Sequence, residues 1–123
     1  MKLFLYIALC GALGAVARAW VCASFAGGLF PMGTLIVNVC GSLLLGLLTG
    51  VTISSDLLPD IYKIPVATGF LGSLTTFSTF AVESLQLMEK NEWKLALFNL
   101  SIHLFLGLLC AALGLFLGRL PFR

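Results

Sequence analysis

The sequence predicts an all-α membrane protein with four transmembrane helices, forming a single integral membrane domain over residues 1–123. Of the 123 residues, 60% are apolar and 10% are charged, whereas a soluble domain carries about 25% charged residues. Charge-free stretches also recur along the chain at the length of about 20 residues that a spanning helix needs. Seven basic and five acidic side chains cannot coat a soluble fold of this size. A soluble enzyme, a nucleic-acid-binding domain and a disordered chain are therefore poor interpretations.

The spans follow from where charges and helix breakers fall. The charge-free run 19–55 is too long for one helix, and Gly27-Gly28 with Pro31 divides it. Two polar turns near residues 54–60 and 89–94 separate the later spans. The four predicted spans cover about residues 3–24, 33–53, 62–88 and 94–118. Lys2 and the apolar run before Ala15-Val16-Ala17 also fit a signal peptide, but the later spans keep the protein in the membrane in either case.

Loop charges leave the orientation of the chain open. With four spans, one side of the membrane holds Lys2, Lys63, Arg119 and Arg123. The other side holds Lys90 and Lys94, with Arg18 at the end of span 1. Because four basic residues face three, the positive-inside rule predicts neither orientation of the chain over the other. Insertion in both orientations, with two copies paired head to tail, explains the tie, and so does a translocation that tolerates a weak bias.

Polar side chains inside spans 2 and 4 are candidate functional groups, because hydrocarbon does not solvate them. In span 2, Thr34, Asn38 and Ser42 are spaced four residues apart and share one helix face. In span 4, Asn99 and His103 have the same spacing. Such residues either join helices through hydrogen bonds or line an aqueous path. The residues alone leave both roles open.

Small residues predict where helices pack closely. Gly46 and Gly50 form a GxxxG pair in span 2, and Gly114 and Gly118 form another in span 4, which favours close backbone approach. Gly107 and Ala111 extend the span 4 stripe. The four cysteines (Cys10, Cys22, Cys40 and Cys110) lie in apolar runs without a CxxC motif. They indicate neither a disulfide framework nor a zinc site.

Span 3 contains a segment that weakens a helix at mid-membrane depth. Residues 68–80 read TGFLGSLTTFSTF, in which glycines, serines and threonines are concentrated. An unwound turn there would free backbone carbonyls, and a buried cation binds such carbonyls in transporters with discontinuous helices. A continuous helix whose serines and threonines bond back to the preceding turn is the alternative. Composition leaves both open.

Two phenylalanines lie beside hydroxyl groups in span 3, an arrangement that suits ordinary packing in the membrane as well as an anion path. Phe77 and Phe80 are three residues apart and can share a helix face, and the edge of a phenyl ring is electropositive. Ser78 and Thr79 offer hydroxyl donors next to them. The alternative is that the rings pack or face lipid. Glu83 follows as either a solvated interfacial charge or a group at a pore mouth.

Three stretches resemble one known family. GFLGSLTTFSTF followed by Glu83 is similar to the span 3 signature of the Fluc (CrcB) fluoride channels, and GTLIVNVCGS at 33–42 resembles their span 2. Gly11, Gly14, Ala15 and Arg18 match the GxxGAxxR pattern of span 1. The resemblance extends over nearly the whole chain.

The resemblance implies an antiparallel, dual-topology homodimer whose third helix is broken at mid-membrane, with two fluoride pores. It also implies a structural sodium ion on the two-fold axis, held by the backbone carbonyls of Gly72 and Thr75. The fluoride path would involve Phe77, Phe80, Asn38, Thr79, Ser78, His103 and Asn99. Family members often carry Tyr and Ser along span 4, so Asn99 and His103 depart from the pattern. Arg18 and Glu83 are candidates for the pore mouth.

The functional prediction is a fluoride-selective channel, not an enzyme, that exports fluoride passively across the cell (inner or plasma) membrane. Its expected partners are fluoride, lipid and a second copy of itself, with no nucleic acid. A small four-span drug or cation exporter is the alternative, for which Glu83 is the one acidic candidate. A non-transporting assembly factor built on the small-residue stripes is a third hypothesis.

Overall fold

The computed structural model describes residues 1–55 and 58–120, and every regular element in those ranges is helical. Asp56, in the predicted polar turn, and Arg123, in the charge tally, lie outside them. In chain order the helices are α1 (Lys2–Ser24), α2 (Met32–Ser54), α3 (Asp60–Ile64), a π-helix (Pro65–Leu71, the π segment), α4 (Gly72–Leu74), α5 (Phe77–Glu89) and α6 (Trp93–Arg119).

Three helices in the described residues are long and apolar enough to cross a membrane: α1, α2 and α6. They overlap the predicted spans 1, 2 and 4. The chain is accordingly a multi-pass membrane protein. The region predicted as span 3 is built instead from α3, the π segment, α4 and α5, which are 5, 7, 3 and 13 residues long.

Helices α2 and α6 approach each other backbone to backbone. A Cβ added at Gly114 would overlap the carbonyl oxygen of Leu43, and one added at Gly46 would overlap that of Ala111. Gly50 and Gly118 face each other, with the position of a Cβ on Gly50 2.9 Å from the Gly118 Cα. The predicted close packing at the two GxxxG pairs is confirmed. Dispersion between backbones in contact supports such interfaces in lipid, where no hydrophobic effect acts between helices.

The π segment lies against α1 through a second set of glycines. A Cβ at Gly69 would lie 2.7 Å from the carbonyl oxygen of Ile7, and one at Gly14 would overlap the Phe70 carbonyl. Just after the π segment, Ser73 donates a hydrogen bond of 2.8 Å to the carbonyl of Gly11. Helix α1 therefore supports the chain leading into the break described next.

The backbone leaves helical geometry between α4 and α5. Thr75 has φ −82° and ψ 155°, and Thr76 has φ −152° and ψ 114°, both in the extended region. The helix resumes at Phe77. Of the two alternatives that composition leaves open, the structure adopts the broken one.

Candidate functional site

Asn38 on α2 holds the break through a pair of hydrogen bonds. Its side-chain amide donates to the Thr76 carbonyl at 3.0 Å, and its carbonyl oxygen accepts from the Thr76 amide at 2.7 Å. One side chain thus bonds to both backbone polar groups of an extended residue, and it supplies the acceptor that the Thr76 amide lacks outside a helix. An asparagine suits this task because it carries a donor and an acceptor together.

The break also diverts two amides from the carbonyls they would reach in a helix. In a continuous α-helix, Thr76 N would donate to Gly72 and Thr79 N to Thr75. Here Thr76 N donates to Asn38, and Thr79 N donates to the Thr76 hydroxyl at 3.2 Å. The carbonyls of Gly72 and Thr75 therefore lose their helical donors.

Backbone oxygens are the ligands that this region offers a cation. Among residues 1–55 and 58–120, no group of three or more His, Cys, Asp or Glu side chains is placed to hold a metal ion. Gly72 is exposed on the single chain, and Thr75 is half-buried. Carbonyl oxygens are suitable ligands for a hard monovalent or divalent cation. The carbonyls of Gly72 and Thr75, which have lost their helical donors, are therefore the candidate cation ligands.

An open groove of about 560 Å³ runs beside the break. Phe77 and Phe80 stand in it with ring centroids 5.6 Å apart and planes at 60°. Phe77 is 79% exposed, so its ring projects from the chain. Phe80 is only 9% exposed, and its ring forms a wall of the groove. The groove is lined by Asn38, Thr75, Phe77, Phe80, Leu100, His103 and Leu104.

His103 stacks on Phe80 at the wall of this groove. Their ring centroids are 4.4 Å apart, with an interplanar angle of 34°. His103 Nδ1 lies 3.0 Å from the Asn99 carbonyl. A carbonyl oxygen only accepts hydrogen bonds, so Nδ1 carries the hydrogen. Asn99 itself is 0% exposed and lies behind the wall, so the structure brings only His103 of the predicted span 4 pair onto the groove.

The predicted hydroxyls of Ser78 and Thr79 line a different groove of about 410 Å³, together with Val82, Glu83 and Gln86. The Thr76 hydroxyl connects them to the break. It donates to the Thr79 hydroxyl at 3.0 Å and lies 3.3 Å from that of Ser78. In the single chain, the hydroxyls of Ser78 and Thr79 therefore line a separate groove from the two phenyl rings.

Glu83 lies further along α5, paired with α2. Thr34 donates to one carboxylate oxygen at 2.8 Å, while the other oxygen is buried without a hydrogen-bond partner in the described part of the chain. Glu83 and Thr34 also line a recess of about 290 Å³ under the turn that joins α1 to α2, together with Lys90. Arg18 lines none of these three spaces.

Sequence reasoning missed Thr76, which caps α5 with its hydroxyl and offers its backbone to Asn38. A threonine directly before a helix is a recognised N-cap signal. The signal was hidden here because Thr76 follows another threonine within an apolar span, where a continuous helix was also expected.

Comparison with known proteins assigns the chain to one group. A family model described as "CrcB-like protein, Camphor Resistance (CrcB)" matches residues 5–115. "Fluoride-specific ion channel FluC 2" of Symbiobacterium thermophilum is 44% identical over 117 residues, covering 92% of each chain. "Fluoride-specific ion channel FluC" of Magnetococcus marinus is 44% identical over 123 residues, covering 94% of this chain and 96% of its own. The protein of the same name from Geobacter metallireducens is 44% identical over 117 residues.

Proposed function

The chain belongs to the CrcB family, and we propose that it is a fluoride-selective channel that lets the anion leave the cell passively. The relatives are named as ion channels, so this is not an enzyme. The observation that carries the proposal is the helix break, which Asn38 secures at the edge of a groove walled by two phenylalanines. The alternative function, a drug or cation exporter, is not favoured, because the relatives are named as fluoride-specific ion channels.

The groove offers a small anion suitable partners. The electropositive ring edges of Phe77 and Phe80 attract an anion without binding it as a full charge would. Conduction requires binding that is favourable enough to admit the ion and weak enough to release it. The amide of Asn38 adds a dipole at the same wall. We place the mouth of the path at the recess under the α1–α2 turn, which Glu83 lines, and Arg18 remains a second candidate for the mouth.

A sodium ion would be held by the carbonyls of Gly72 and Thr75. The diversion of the Thr76 and Thr79 amides supports this assignment, because it removes the helical donors from those two oxygens. Carbonyls without donors at membrane depth need another partner. When bound, the ion supplies positive charge at the break, which strengthens attraction for a nearby anion in a medium of low dielectric.

The functional unit would be an antiparallel homodimer in which residues 60–89 form the third of four spans. Two observations support a second copy. Asn38 and His103 line an open groove of about 560 Å³ on the single chain, and an open space beside polar residues at membrane depth is unfavourable against hydrocarbon. Phe77 is 79% exposed, and Gly72, whose carbonyl would bind sodium, is exposed as well. A partner copy would cover this face and complete the path.

The direct test of function is ion efflux from liposomes that contain the purified protein. We expect fluoride efflux far above that of protein-free liposomes, and chloride efflux near background. Equal release of both halides would contradict the proposed selectivity for fluoride. Release of neither halide would contradict the proposed channel function.

Orientation is tested by labelling single cysteines in sealed vesicles with a membrane-impermeant maleimide. Lys2 and Lys94 are exposed and lie in regions predicted to be on opposite sides, so Lys2→Cys and Lys94→Cys serve as reporters. The background lacks Cys10, Cys22, Cys40 and Cys110. Dual topology predicts that about half of each reporter is labelled from outside. Full labelling of one reporter and none of the other would rule out the antiparallel pair.

A further inference from the structure

Two fully enclosed polar residues lie behind the groove wall and do not line the groove. Asn99 on α6 is 0% exposed and Ser84 on α5 is 2% exposed. They contact each other, with the Asn99 amide donating to the Ser84 hydroxyl at 3.0 Å. Burying an amide in a membrane protein is costly unless it is bonded, so this pair needs a physical explanation.

The pair belongs to a chain of hydrogen bonds that begins and ends at the groove. The Ser84 hydroxyl donates to the Phe80 carbonyl at 2.8 Å and accepts from Asn99. The backbone of Asn99 in turn accepts from His103 Nδ1 at 3.0 Å. The rings of the two end residues, Phe80 and His103, then contact each other in a tilted arrangement, with centroids 4.4 Å apart and planes at 34°. Three hydrogen bonds and one ring contact thus form a closed circuit through α5 and α6.

We propose that Ser84 and Asn99 are positioning residues that fix the separation of Phe80 and His103 and thereby set the preference for fluoride over larger halides. The inference rests on the proposed function, since Phe80 and His103 matter only if an anion passes them. Within the described residues, the bond from Asn99 to Ser84 is the side-chain hydrogen bond that joins α5 to α6, whereas apolar contacts by themselves tolerate sliding. A path that admits the smallest halide and rejects the next needs its walls fixed in register.

One unpaired atom is consistent with a positioning role. Asn99 Oδ1 is buried and has no hydrogen-bond partner within the described residues. The Asn99 side chain therefore bonds through its NH₂ group, which donates to Ser84, and its carbonyl oxygen is left without a partner among the described residues. Since Asn99 touches the path only through Ser84 and His103, it acts on the anion indirectly.

The test measures the ratio of fluoride to chloride efflux from liposomes for the parent, Ser84→Ala, Ser84→Thr and Asn99→Leu. Ser84→Ala removes one hydroxyl and adds no atom, so we expect it to assemble. Its efflux ratio should fall about tenfold, on the order of one hydrogen bond's free energy. Asn99→Leu should lower the ratio similarly. Ser84→Thr, which keeps the hydroxyl, should retain the parent ratio.

Ser101→Ala is the matched control, because the Ser101 hydroxyl bonds only to Leu97 of its own helix and is exposed. A merely structural role would reduce the amount of assembled protein without changing the ratio of the assembled fraction. An unchanged ratio in Ser84→Ala would overturn the inference while leaving the channel in place. A parent without fluoride efflux would instead overturn the proposed function on which the inference rests. If Asn99→Leu does not assemble, the Ser84→Ala ratio decides.

Discussion

The α2–α6 contact and the break before α5 are held by opposite means. Between α2 and α6, glycines bring backbones together, and any added Cβ at Gly114 overlaps Leu43. At the break, the Asn38 side chain accepts from the Thr76 amide, which has lost its helical acceptor, and donates to the Thr76 carbonyl. The first region tolerates no added atom, and the second depends on one pair of polar groups. Packing thus supplies the rigid frame, and hydrogen bonding supplies the irregular backbone that function needs.

The largest effect is expected where the frame is overpacked. Gly114→Ala places a methyl on the Leu43 carbonyl, a backbone atom that cannot rotate away. Destabilisation should reach about 3 kcal/mol, measured as loss of monodisperse protein and a lowered unfolding temperature. Gly107→Ala is the control, since the nearest atom to its Cβ is the Ser42 hydroxyl at 3.9 Å. Equal stability of the two variants would show that the frame is not glycine-dependent.

Asn38→Asp attacks the break instead of the frame. The carboxylate keeps an acceptor for Thr76 N but loses the donor for the Thr76 carbonyl, and it adds negative charge beside the anion path. Fluoride efflux should fall by about a hundredfold while the protein still assembles. Asn91→Asp, in the exposed turn after α5, is the matched control. Parental efflux in Asn38→Asp would mean that the path lies elsewhere.

Phe80→Ile tests the wall beside the break. The variant keeps apolar volume but removes the electropositive ring edge and the stack on His103. Efflux should slow by about tenfold, equivalent to a barrier rise of roughly 1.4 kcal/mol. Phe105→Ile, at a position 70% exposed on α6, should leave efflux unchanged. Similar slowing in both variants would indicate a general effect of losing an aromatic residue.

The smallest effect is expected where the two regions meet. A Cβ at Gly41 overlaps the methyl of Thr75, so Gly41→Ala presses on the break from α2. It should cost about 1 kcal/mol and slow efflux a few-fold. Thr75→Ser removes that methyl and keeps the hydroxyl, which donates to the Leu71 carbonyl. The double variant that combines Gly41→Ala with Thr75→Ser should therefore recover the stability and the efflux rate of the parent. If efflux and stability do not recover, the contact with the Thr75 methyl is not the reason that Gly41→Ala is harmful.

The frame was largely predictable from the sequence, because its signals are local. Charge-free length located the ranges occupied by α1, α2 and α6, and four-residue glycine spacing located the α2–α6 contact. Such patterns need no knowledge of which other residues lie nearby.

The site was less predictable, because its bonds join distant parts of the chain. Asn38 reaches Thr76 across 38 positions, and Ser73 reaches Gly11 across 62. Composition showed that a break was feasible but not which carbonyls it frees. Asn99 shares a helix face with His103 by spacing, yet its amide turns to Ser84 on the neighbouring helix. The π-helical winding of Pro65–Leu71 likewise had no signal in the residues considered.

The central claim is that an Asn38-held break leaves backbone oxygens for a cation beside an anion path. A high-resolution density map of the assembled protein in sodium tests it most directly. We expect extended backbone at Thr75 and Thr76, with ion density against the carbonyls of Gly72 and Thr75 contributed by two oppositely oriented copies. A continuous helix through residues 72–80, with no ion between the copies, would contradict the account.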